Sequence, residues 1–315
     1  MLLRQLEYLV ALARERHFAR AAAACYVSQP SLSAAIRRLE QDLDVPIVRR
    51  GRRRYEGLTP EGEVVLAWAH RMLAEQDALR QELSALRGGL TGTLRLGVVP
   101  TALPVASLLT TPFCERHPGA GVSLESLSSA EIRHGLAEFE LDAAMTYLED
   151  DSLRQVRRLP LYEERYVLLT PVDGPLADAG TARWSQAATL PLCLLSPRMR
   201  NRRIIDECFA ADGAVAAPAI ESDSVAGLYA HLPGGRWSSV ISHAWLHMFG
   251  VPDGLRVVPL EGPANGPRVG LVVARSEPQS VLAEALLKVA REAGVRDALD
   301  ELLRTYLGRS AAPRG

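Results

Sequence analysis

Residues 19–47 read ARAAAACYVSQPSLSAAIRRLEQDLDVPI, and this stretch decides how the N-terminal part of the chain folds. The alanines at 21–24 predict a short helix that a second helix can approach closely. Ser28 is a good N-cap, and Pro30 suits the first turn of a helix because its missing N–H would have no partner there. The pattern therefore predicts a helix, a tight turn and a second helix starting near Gln29. The apolar stripe of that second helix consists of Leu32, Ile36, Leu39 and Leu43.

Another apolar stripe precedes this pair of helices. It predicts a first helix over about residues 3–15, and its members are Leu6, Leu9, Val10 and Ala13. In a helix-turn-helix, the first turn of the second helix projects outward into the DNA major groove. The residues that we expect to contact DNA from this helix are Ser28, Gln29, Pro30, Ser31, Ser33, Arg37 and Arg38.

A dense run of arginines follows Pro46. Mutual repulsion disfavours such a run unless water solvates it or an anionic partner neutralises it. Between Pro46 and Gly57 we therefore predict a two-stranded wing that lies along DNA phosphates, while a solvated loop remains the alternative for the run taken alone. The candidate phosphate contacts are Arg49, Arg50, Arg52, Arg53 and Arg54.

The charge of the chain is unevenly distributed. The formal net charge is −1, yet residues 1–58 hold 11 Arg against 6 Asp plus Glu, a balance of +5 that leaves −6 for the rest. Lys288 is the only lysine, so the general use of arginine reflects a coding bias and only its clustering is informative. The positive charge is therefore concentrated in the N-terminal residues, and a protein surface that binds DNA needs such a concentration.

A long helix is predicted over residues 60–87, which contain no glycine after Gly62. Its apolar positions alternate four and three residues apart, which gives a narrow seam on an otherwise charged helix. Such a seam favours pairing with a second copy of the chain, and the polar Gln76 would fix the register. The alternative is a helix that lies on its own domain. The seam consists of Val65, Ala69, Met72, Gln76, Leu79, Leu83 and Leu86.

From Thr93 onward, strand-like and helix-like segments alternate, as in TLRLGVV at 93–99. This order predicts two α/β units with mainly parallel sheets, and ligands of such sheets lie beyond the strands' carboxyl ends near helix N-termini. Hydroxyl groups there suit a carboxylate or another small anion; each alone is more often a helix cap, and it is their recurrence at several strand ends that favours a ligand site. The candidate effector-binding residues are Pro100, Thr101, Ser128, Ser129, Thr146, Ser196, Arg198, Ser242 and His243.

Several other classes of protein are disfavoured. No apolar run approaches the roughly 20 residues that a membrane span needs, so we expect a cytoplasmic protein without a membrane partner. The sequence has no GxSxG, HExxH or phosphate-binding loop, so neither an enzyme nor a cofactor is predicted. His243 and His247 lie four residues apart without a third ligand nearby, so no metal site is predicted either.

Residues 3–62 resemble the winged helix-turn-helix of the LysR-type transcriptional regulators. The phrases ARAAAACYVSQPSLSAAIRRLEQDLDVPI and LTPEG stand in that family's order and nearly at its spacing. The resemblance implies an α/β protein with an N-terminal all-α winged helix-turn-helix, a linker helix and a two-lobed effector domain like the periplasmic solute-binding proteins. The implied bounds are 1–59 for the DNA-binding domain, 60–89 for the linker and dimerisation helix, and 90–315 for the effector domain, with lobe I at about 90–162 and 268–315 and lobe II at about 163–267.

The resemblance also implies partners. One helix-turn-helix reads only a half-site, so a dimer or a tetramer would bind a nearly palindromic site on double-stranded DNA. A small-molecule effector would lie between the lobes and shift the DNA-binding heads, provided that it binds one arrangement more tightly. An activator of this kind would also contact RNA polymerase.

The sequence departs from the family pattern at the DNA-binding end. Ala34 and Ala35 stand where many members carry a long polar residue, so base reading should depend on Gln29, Ser31, Ser33 and Arg37. The wing is one residue longer than usual and carries Val48 where an aromatic residue is common.

Cysteines raise one alternative, a thiol-based redox-sensing regulator. Peroxide-sensing relatives use two cysteines in the second lobe, and Cys193 and Cys208 fall in that region. Their spacing does not resemble the sensor pattern, and Cys193 lies within the apolar run LPLCLLS. Buried, unreactive thiols are therefore the favoured interpretation.

Overall fold

The computed structural model describes residues 1–50, 55–86, 89–150, 153, 156–176, 178–262, 266–275 and 279–311. For Arg50, Ala85 and residues 309–311 it describes the backbone alone.

The N-terminal part, here called the head, folds as three helices and a two-stranded antiparallel wing. The predicted helix over 3–15 and the predicted helix start at Gln29 are both confirmed. The apolar stripes meet in one core, in which Leu9, Leu32 and Ile36 are fully buried. The elements are α1 (Leu3–Glu15), α2 (Phe18–Ala24), α3 (Gln29–Leu43), β1 (Val48–Arg50) and β2 (Tyr55–Leu58).

A single helix, α4 (Pro60–Leu86), leaves the head, as the sequence predicts. The Thr59 hydroxyl donates a hydrogen bond to the Pro46 carbonyl at 2.6 Å and accepts one from the Gly62 N–H at 2.9 Å. Gly62 approaches the wing so closely that a Cβ would stand 2.1 Å from the Ile47 carbonyl oxygen. The phrase LTPEG thus joins α4 to the head through a backbone contact that only glycine allows.

The remainder of the chain forms two α/β lobes followed by two C-terminal helices. In chain order the elements are β3 (Gly92–Val98), α5 (Ser107–Arg116), β4 (Ala120–Ser126), α6 (Ser129–Ala137), β5 (Ala143–Tyr147), β6 (Val156–Glu163), β7 (Tyr166–Pro171), β8 (Ala182–Arg183), α7 (Trp184–Ala187), β9 (Cys193–Leu195), α8 (Arg200–Ala211), β10 (Ile220–Ser222), α9 (Val225–Tyr229), β11 (Ser239–Ser242), α10 (Leu246–Phe249), β12 (Leu255–Glu261), β13 (Arg268–Ala274), α11 (Val281–Glu292) and α12 (Val295–Ala311).

Lobe I is built on a five-stranded sheet in the order β4-β3-β5-β13-β6, and lobe II on a four-stranded sheet in the order β11-β7-β12-β8. The prediction of mainly parallel sheets is wrong. β3 runs parallel to β4 and β5, but β13 is antiparallel to both of its neighbours, and so is β7. The reason is the route of the chain: it leaves lobe I along β6 and returns along β13, without the crossover helix that a parallel pair needs.

The chain passes between the lobes twice, from β6 to β7 and from β12 to β13, and one hydrophobic core continues across both. Leu96 and Leu271 of lobe I belong to the same buried cluster as Leu169 and Trp245 of lobe II. The Trp245 indole N–H donates to the Thr101 carbonyl oxygen at 3.1 Å. The lobes are therefore in direct contact at the base of the cleft that separates them. No helix in the described ranges is long and apolar enough to span a bilayer.

Candidate functional site

The first turn of α3 is stabilised by a side-chain cap at Ser28. The Ser28 hydroxyl accepts a hydrogen bond from the Ser31 N–H at 3.3 Å and lies 2.8 Å from the Ser31 hydroxyl. Gln29 and Pro30 follow in the first turn and are exposed. The capping serines thus set the start of the helix, while Gln29 is the polar side chain that this end offers to a partner.

The remaining side chains predicted on α3 differ in their freedom. Arg37 is exposed and forms no hydrogen bond or ion pair with the described residues, whereas the Arg38 guanidinium bonds Asp42 at 3.2 Å. Ser33 is half-buried, and Ala34 is exposed one position further along. Among the side chains predicted to contact DNA, Gln29 and Arg37 are therefore the long polar groups that have no partner among the described residues.

A carboxylate of α3, which sequence analysis did not select, is hydrogen-bonded to the start of the wing. Glu40 Oε1 accepts hydrogen bonds from the N–H groups of Ile47 and Val48, at 3.0 and 3.1 Å. Arg49 is exposed and lies across Gly57, where a Cβ would come within 3.0 Å of its Nη2. The predicted phosphate contacts Arg52, Arg53 and Arg54 lie outside the described residues.

The seam predicted along α4 divides into two halves. Ala69 is fully buried against the head, and Val65 and Met72 pack there too, so these three serve the chain's own core. Leu79, Leu83 and Leu86 are 56%, 49% and 84% exposed and remain available to a second copy. Four-three spacing marks any helix packed along one stripe, and it does not tell an internal partner from an external one. The seam prediction overlooked Val64 and Trp68, which are also exposed on α4.

A cavity of about 760 Å³, here called the cleft, lies between the lobes. Five predicted residues line it: Pro100, Thr101, Ser128 and Ser129 from lobe I, and Arg198 from lobe II. Strand-end reasoning brought these residues together because β3 and β4 end at the same edge of their sheet.

Four arginines give the cleft its chemistry: Arg133, Arg198, Arg200 and Arg203. The Arg200 guanidinium lies 5.0 Å from the centre of the Tyr147 ring, and Arg198 is exposed.

The two helices that begin at the cleft differ in their caps. α8 starts at Arg200 with Met199 as its N-cap, which supplies no side-chain hydrogen bond, whereas Ser128 and Glu131 cap α6 reciprocally. The lobe II wall is therefore a helix N-terminus with arginines in its first turn, an arrangement that suits an anion. Glu149, Asp150 and Glu207 line the same cavity, so the positive field is local to this wall.

Four predicted effector residues do not line the cleft, which corrects the sequence-based assignment. Thr146 is fully buried in β5, and the Ser196 and Ser242 hydroxyls accept hydrogen bonds from the N–H groups of Arg198 and Ala244. The His243 ring is buried and its Nδ1 accepts from the Arg165 N–H at 3.1 Å. Burial, with help from the Arg165 charge, lowers the pKa of His243 to about 4, so this ring is neutral at physiological pH. These groups are caps and core members.

The two cysteines of the redox alternative have unreactive surroundings. Cys193 is fully buried, and burial raises the pKa of its thiol to about 11. Burial and the nearby Glu207 also raise the pKa of Cys208, which is half-buried. The two side chains belong to different hydrophobic clusters, Cys193 to the one that spans both lobes and Cys208 to the periphery of another. Neither is a thiolate at neutral pH, the form that attacks peroxide.

Comparison with known proteins covers nearly the whole chain. A family model described as the LysR substrate binding domain matches residues 87–295, and one described as a bacterial regulatory helix-turn-helix protein of the lysR family matches residues 3–63. A relative from Streptomyces viridosporus, named a probable hydrogen peroxide-inducible genes activator, is 32% identical over 93% of this chain and 96% of its own length.

Solved structures of similar proteins share the architecture. A variant of full-length OxyR from Pseudomonas aeruginosa superposes with a TM-score of 0.74 at 27% identity, covering 94% of this chain and 97% of that one. CbnR in complex with its target DNA gives a TM-score of 0.66 at 21% identity, covering 93% and 100%, a likeness that concerns the fold alone.

Proposed function

Because the chain belongs to the LysR family of DNA-binding transcriptional regulators, we propose that it binds a nearly palindromic promoter site as a dimer or tetramer and responds to a small anionic effector in the cleft. The exposed first turn of α3 with Gln29, and Arg37 two turns further on, support the reading of DNA bases, because neither side chain has a partner among the described residues. Where the protein activates a gene, RNA polymerase is a further partner. A regulator of chromosomal genes acts in the cytoplasm.

The proposal is tested with the protein's own promoter fragment. At moderate ionic strength, with and without metabolite extract, the purified protein should bind this fragment more tightly than a scrambled duplex of the same length. Equal affinity for both duplexes under both conditions would remove the DNA-reading function.

Gln29→Ala is expected to relax sequence preference. Glutamine pairs bidentately with adenine in the major groove, and such a contact discriminates between bases by about 1 to 3 kcal/mol. Affinity for the promoter fragment should therefore fall by roughly ten- to a hundredfold, with little change on scrambled duplex. Fluorescence anisotropy on both duplexes measures this ratio.

Arg49→Ala is the matched control, since Arg49 lies on the wing and not on α3. It should weaken binding to both duplexes alike and lower the salt slope by about one, as expected for a lost phosphate contact. If the two variants behaved identically on the two duplexes, Gln29 would be a backbone contact and not a base reader.

Dimerisation through α4 is supported by its exposed apolar side chains. Leu79, Leu83 and Leu86 continue the four-three spacing beyond the part of the helix that the head covers, and Trp68 is 54% exposed. Exposed leucines on one stripe of a helix favour burial against a second copy. Sedimentation velocity at micromolar protein concentration tests dimerisation, and a monomeric sedimentation coefficient would contradict it.

The effector is proposed to be a carboxylate or a similar anion. The supporting observation is the lobe II wall, where α8 presents uncapped N–H groups beside Arg198, Arg200 and Arg203. A panel of small organic acids in a thermal-shift assay tests it, since a ligand selective for the folded cleft raises the melting temperature by mass action. Neutral isosteres of any acid that binds should fail to shift the melting temperature.

A thiol-based peroxide response is the second candidate, and the relatives' names favour it. The surroundings of Cys193 and Cys208 oppose it, because burial raises both pKa values. We expect both thiols to stay reduced after peroxide treatment that oxidises the exposed Cys114, as measured by differential alkylation and mass spectrometry. Stoichiometric loss of both thiols together with altered DNA binding would reverse the preference.

A further inference from the structure

Glu164 lies where the chain first passes from lobe I to lobe II. It follows β6 and precedes β7, and its N–H donates to the Pro267 carbonyl at 3.0 Å, on the segment that leads back into lobe I. The two segments touch backbone to backbone, because a Cβ on Gly266 would stand 2.1 Å from the Glu164 carbonyl oxygen. These two segments are the chain connections between the lobes, so a movement of one lobe relative to the other must bend them. Glu164 is therefore a hinge residue.

The Glu164 side chain is fully buried, with uncharged hydrogen-bond partners. Its Oε2 accepts from the Tyr166 hydroxyl at 2.8 Å and from Asn201 Nδ2 at 3.2 Å, and the Ser242 hydroxyl is a further donor. Oε1 has no partner among the described residues. No cationic side chain in the described ranges forms an ion pair with it, and the neighbouring Arg165 is paired with Asp300 of α12 instead.

The groups that face this carboxyl do not offer it positive charge. Four of them are acidic or phenolic side chains, and the ring of His243 is held neutral by burial. Of the two nearby arginines, Arg165 is paired with Asp300, and Arg200 is stacked on a tyrosine ring at the edge of the cleft. The titratable and charged neighbours are Tyr147 of β5, Tyr162 of β6, Tyr166 of β7, His243 after β11, Glu149 and Arg200.

The same cluster reaches the cleft from both lobes. Asn201, on the first turn of α8, lines the cleft, and both of its amide hydrogens are engaged, since Nδ2 donates to Glu164 and to the Tyr166 hydroxyl at 3.3 Å. On the lobe I side, Tyr147 and Thr101 line the cleft and share a hydrogen bond at 2.7 Å. Glu164 thus fixes the orientation of one wall residue, Asn201.

Burial is the dominant cause that raises the pKa of Glu164 to about 7, against an ordinary value of 4.5. A neutral carboxyl costs less to bury here than a carboxylate, because it has no charge that must be removed from water. An ionised carboxylate without a cation would require water, which can reach it only if the segments around it part.

We propose that Glu164 is a positioning residue whose protonated side chain holds Asn201 and the two lobes in the arrangement described here, and that loss of its proton loosens the cleft. The inference rests on the proposed function only in treating the cleft as the effector site. It predicts that a ligand which needs the closed cleft binds better when this carboxyl is neutral.

Trp245 provides the readout, because its buried indole donates across the lobe contact to Thr101. In a variant with Trp68, Trp184 and Trp237 replaced by phenylalanine, acrylamide quenching of Trp245 reports the access of solvent to this contact. We expect quenching to increase severalfold between pH 5.5 and pH 8.5, with a midpoint near 7, while the far-ultraviolet circular dichroism is unchanged. No DNA and no effector enter the measurement, so it stands or fails independently of the proposed function.

Two substitutions in the same background complete the test. Glu164→Gln keeps the shape and the neutral state, so its quenching should stay at the low-pH value throughout the range. Glu163→Gln removes the adjacent, half-buried carboxyl and should titrate like the parent. Quenching that is flat with pH in the parent, or that rises equally in the Glu164→Gln variant, would overturn the inference; the first of these outcomes needs no variant at Glu164 to fold.

Discussion

Replacing Gly62 by alanine is expected to destabilise the head and to weaken promoter binding. The new Cβ would stand 2.1 Å from the Ile47 carbonyl oxygen and 3.0 Å from its carbon, both of them backbone atoms that cannot rotate away. Relief requires α4 to move off the wing, which breaks the hydrogen bonds from the Thr59 N–H to the Ile47 carbonyl and from the Thr59 hydroxyl to the Pro46 carbonyl. Overpacking of this kind costs about 1 to 3 kcal/mol, a large fraction of the stability of a small domain.

Differential scanning calorimetry of the full chain separates the outcomes. The transition of the head should move to lower temperature while that of the effector domain stays in place. Gly89→Ala is the matched control, because Gly89 lies beyond α4 and no atom is within 4 Å of the position its Cβ would take. A Gly62→Ala variant with unchanged melting and unchanged promoter affinity would show that α4 does not need this contact.

The head was predictable because its signals are local. Ser28 caps α3 through the N–H three residues ahead, and Pro30 sits in the first turn, so neighbouring residues alone define the start of the helix. The contact of Gly62 with Ile47 is not local. The glycine in LTPEG indicates a close approach, but the sequence does not identify the residue that approaches it. The same holds for Glu40, whose bonds to the wing depend on how α3 and β1 meet.

The mixed topology of the lobes could not be read from local pattern. β13 is an apolar run that pairs with β5, more than a hundred residues earlier, and with the arginine-bearing β6, whose sequence does not alternate cleanly. Strand direction depends on the route of the chain between lobes, which hydrophobic periodicity does not record. The prediction of mainly parallel sheets therefore failed at β7 and β13, which are antiparallel to their neighbours.

Sequence analysis predicted the cleft residues that follow strand ends, but it did not predict the arginines that line the lobe II wall. Thr101 and Ser128 follow neighbouring strands and both line the cleft, whereas Ser242 ends a strand of lobe II, His243 follows it, and both are buried. Arg200 and Arg203 had no distinguishing signal in a chain with 36 Lys plus Arg. Glu164 was missed because an acidic residue between two strands reads as a solvated turn, and only the packed lobes show that it is buried.

Glu164→Gln is expected to stabilise the effector domain at pH 8 and to leave it unchanged at pH 4. The folded-state pKa of about 7 lies above the ordinary 4.5, so the folded protein binds more protons than the unfolded chain between these values. The stability of the parent therefore falls as pH rises from 4.5 to 7 and is level above that range. The difference in pKa corresponds to on the order of 3 kcal/mol, which glutamine, always neutral, does not lose.

Thermal melts across pH test the sign as well as the size. The melting temperature of the Glu164→Gln variant should exceed that of the parent by roughly 5 to 10 °C at pH 8, and the two curves should converge as pH falls towards 4.5. Glu163→Gln, which removes the adjacent half-buried carboxyl, should follow the parent at every pH. A gain that persisted unchanged down to pH 4 would mean that glutamine simply packs better, because only a titrating carboxyl makes the difference vanish in acid. A lower melting temperature of the variant at pH 8 would mean that the folded protein stabilises the ionised carboxylate. Oε1 would then need a hydrogen-bond donor, and none is found among the described residues.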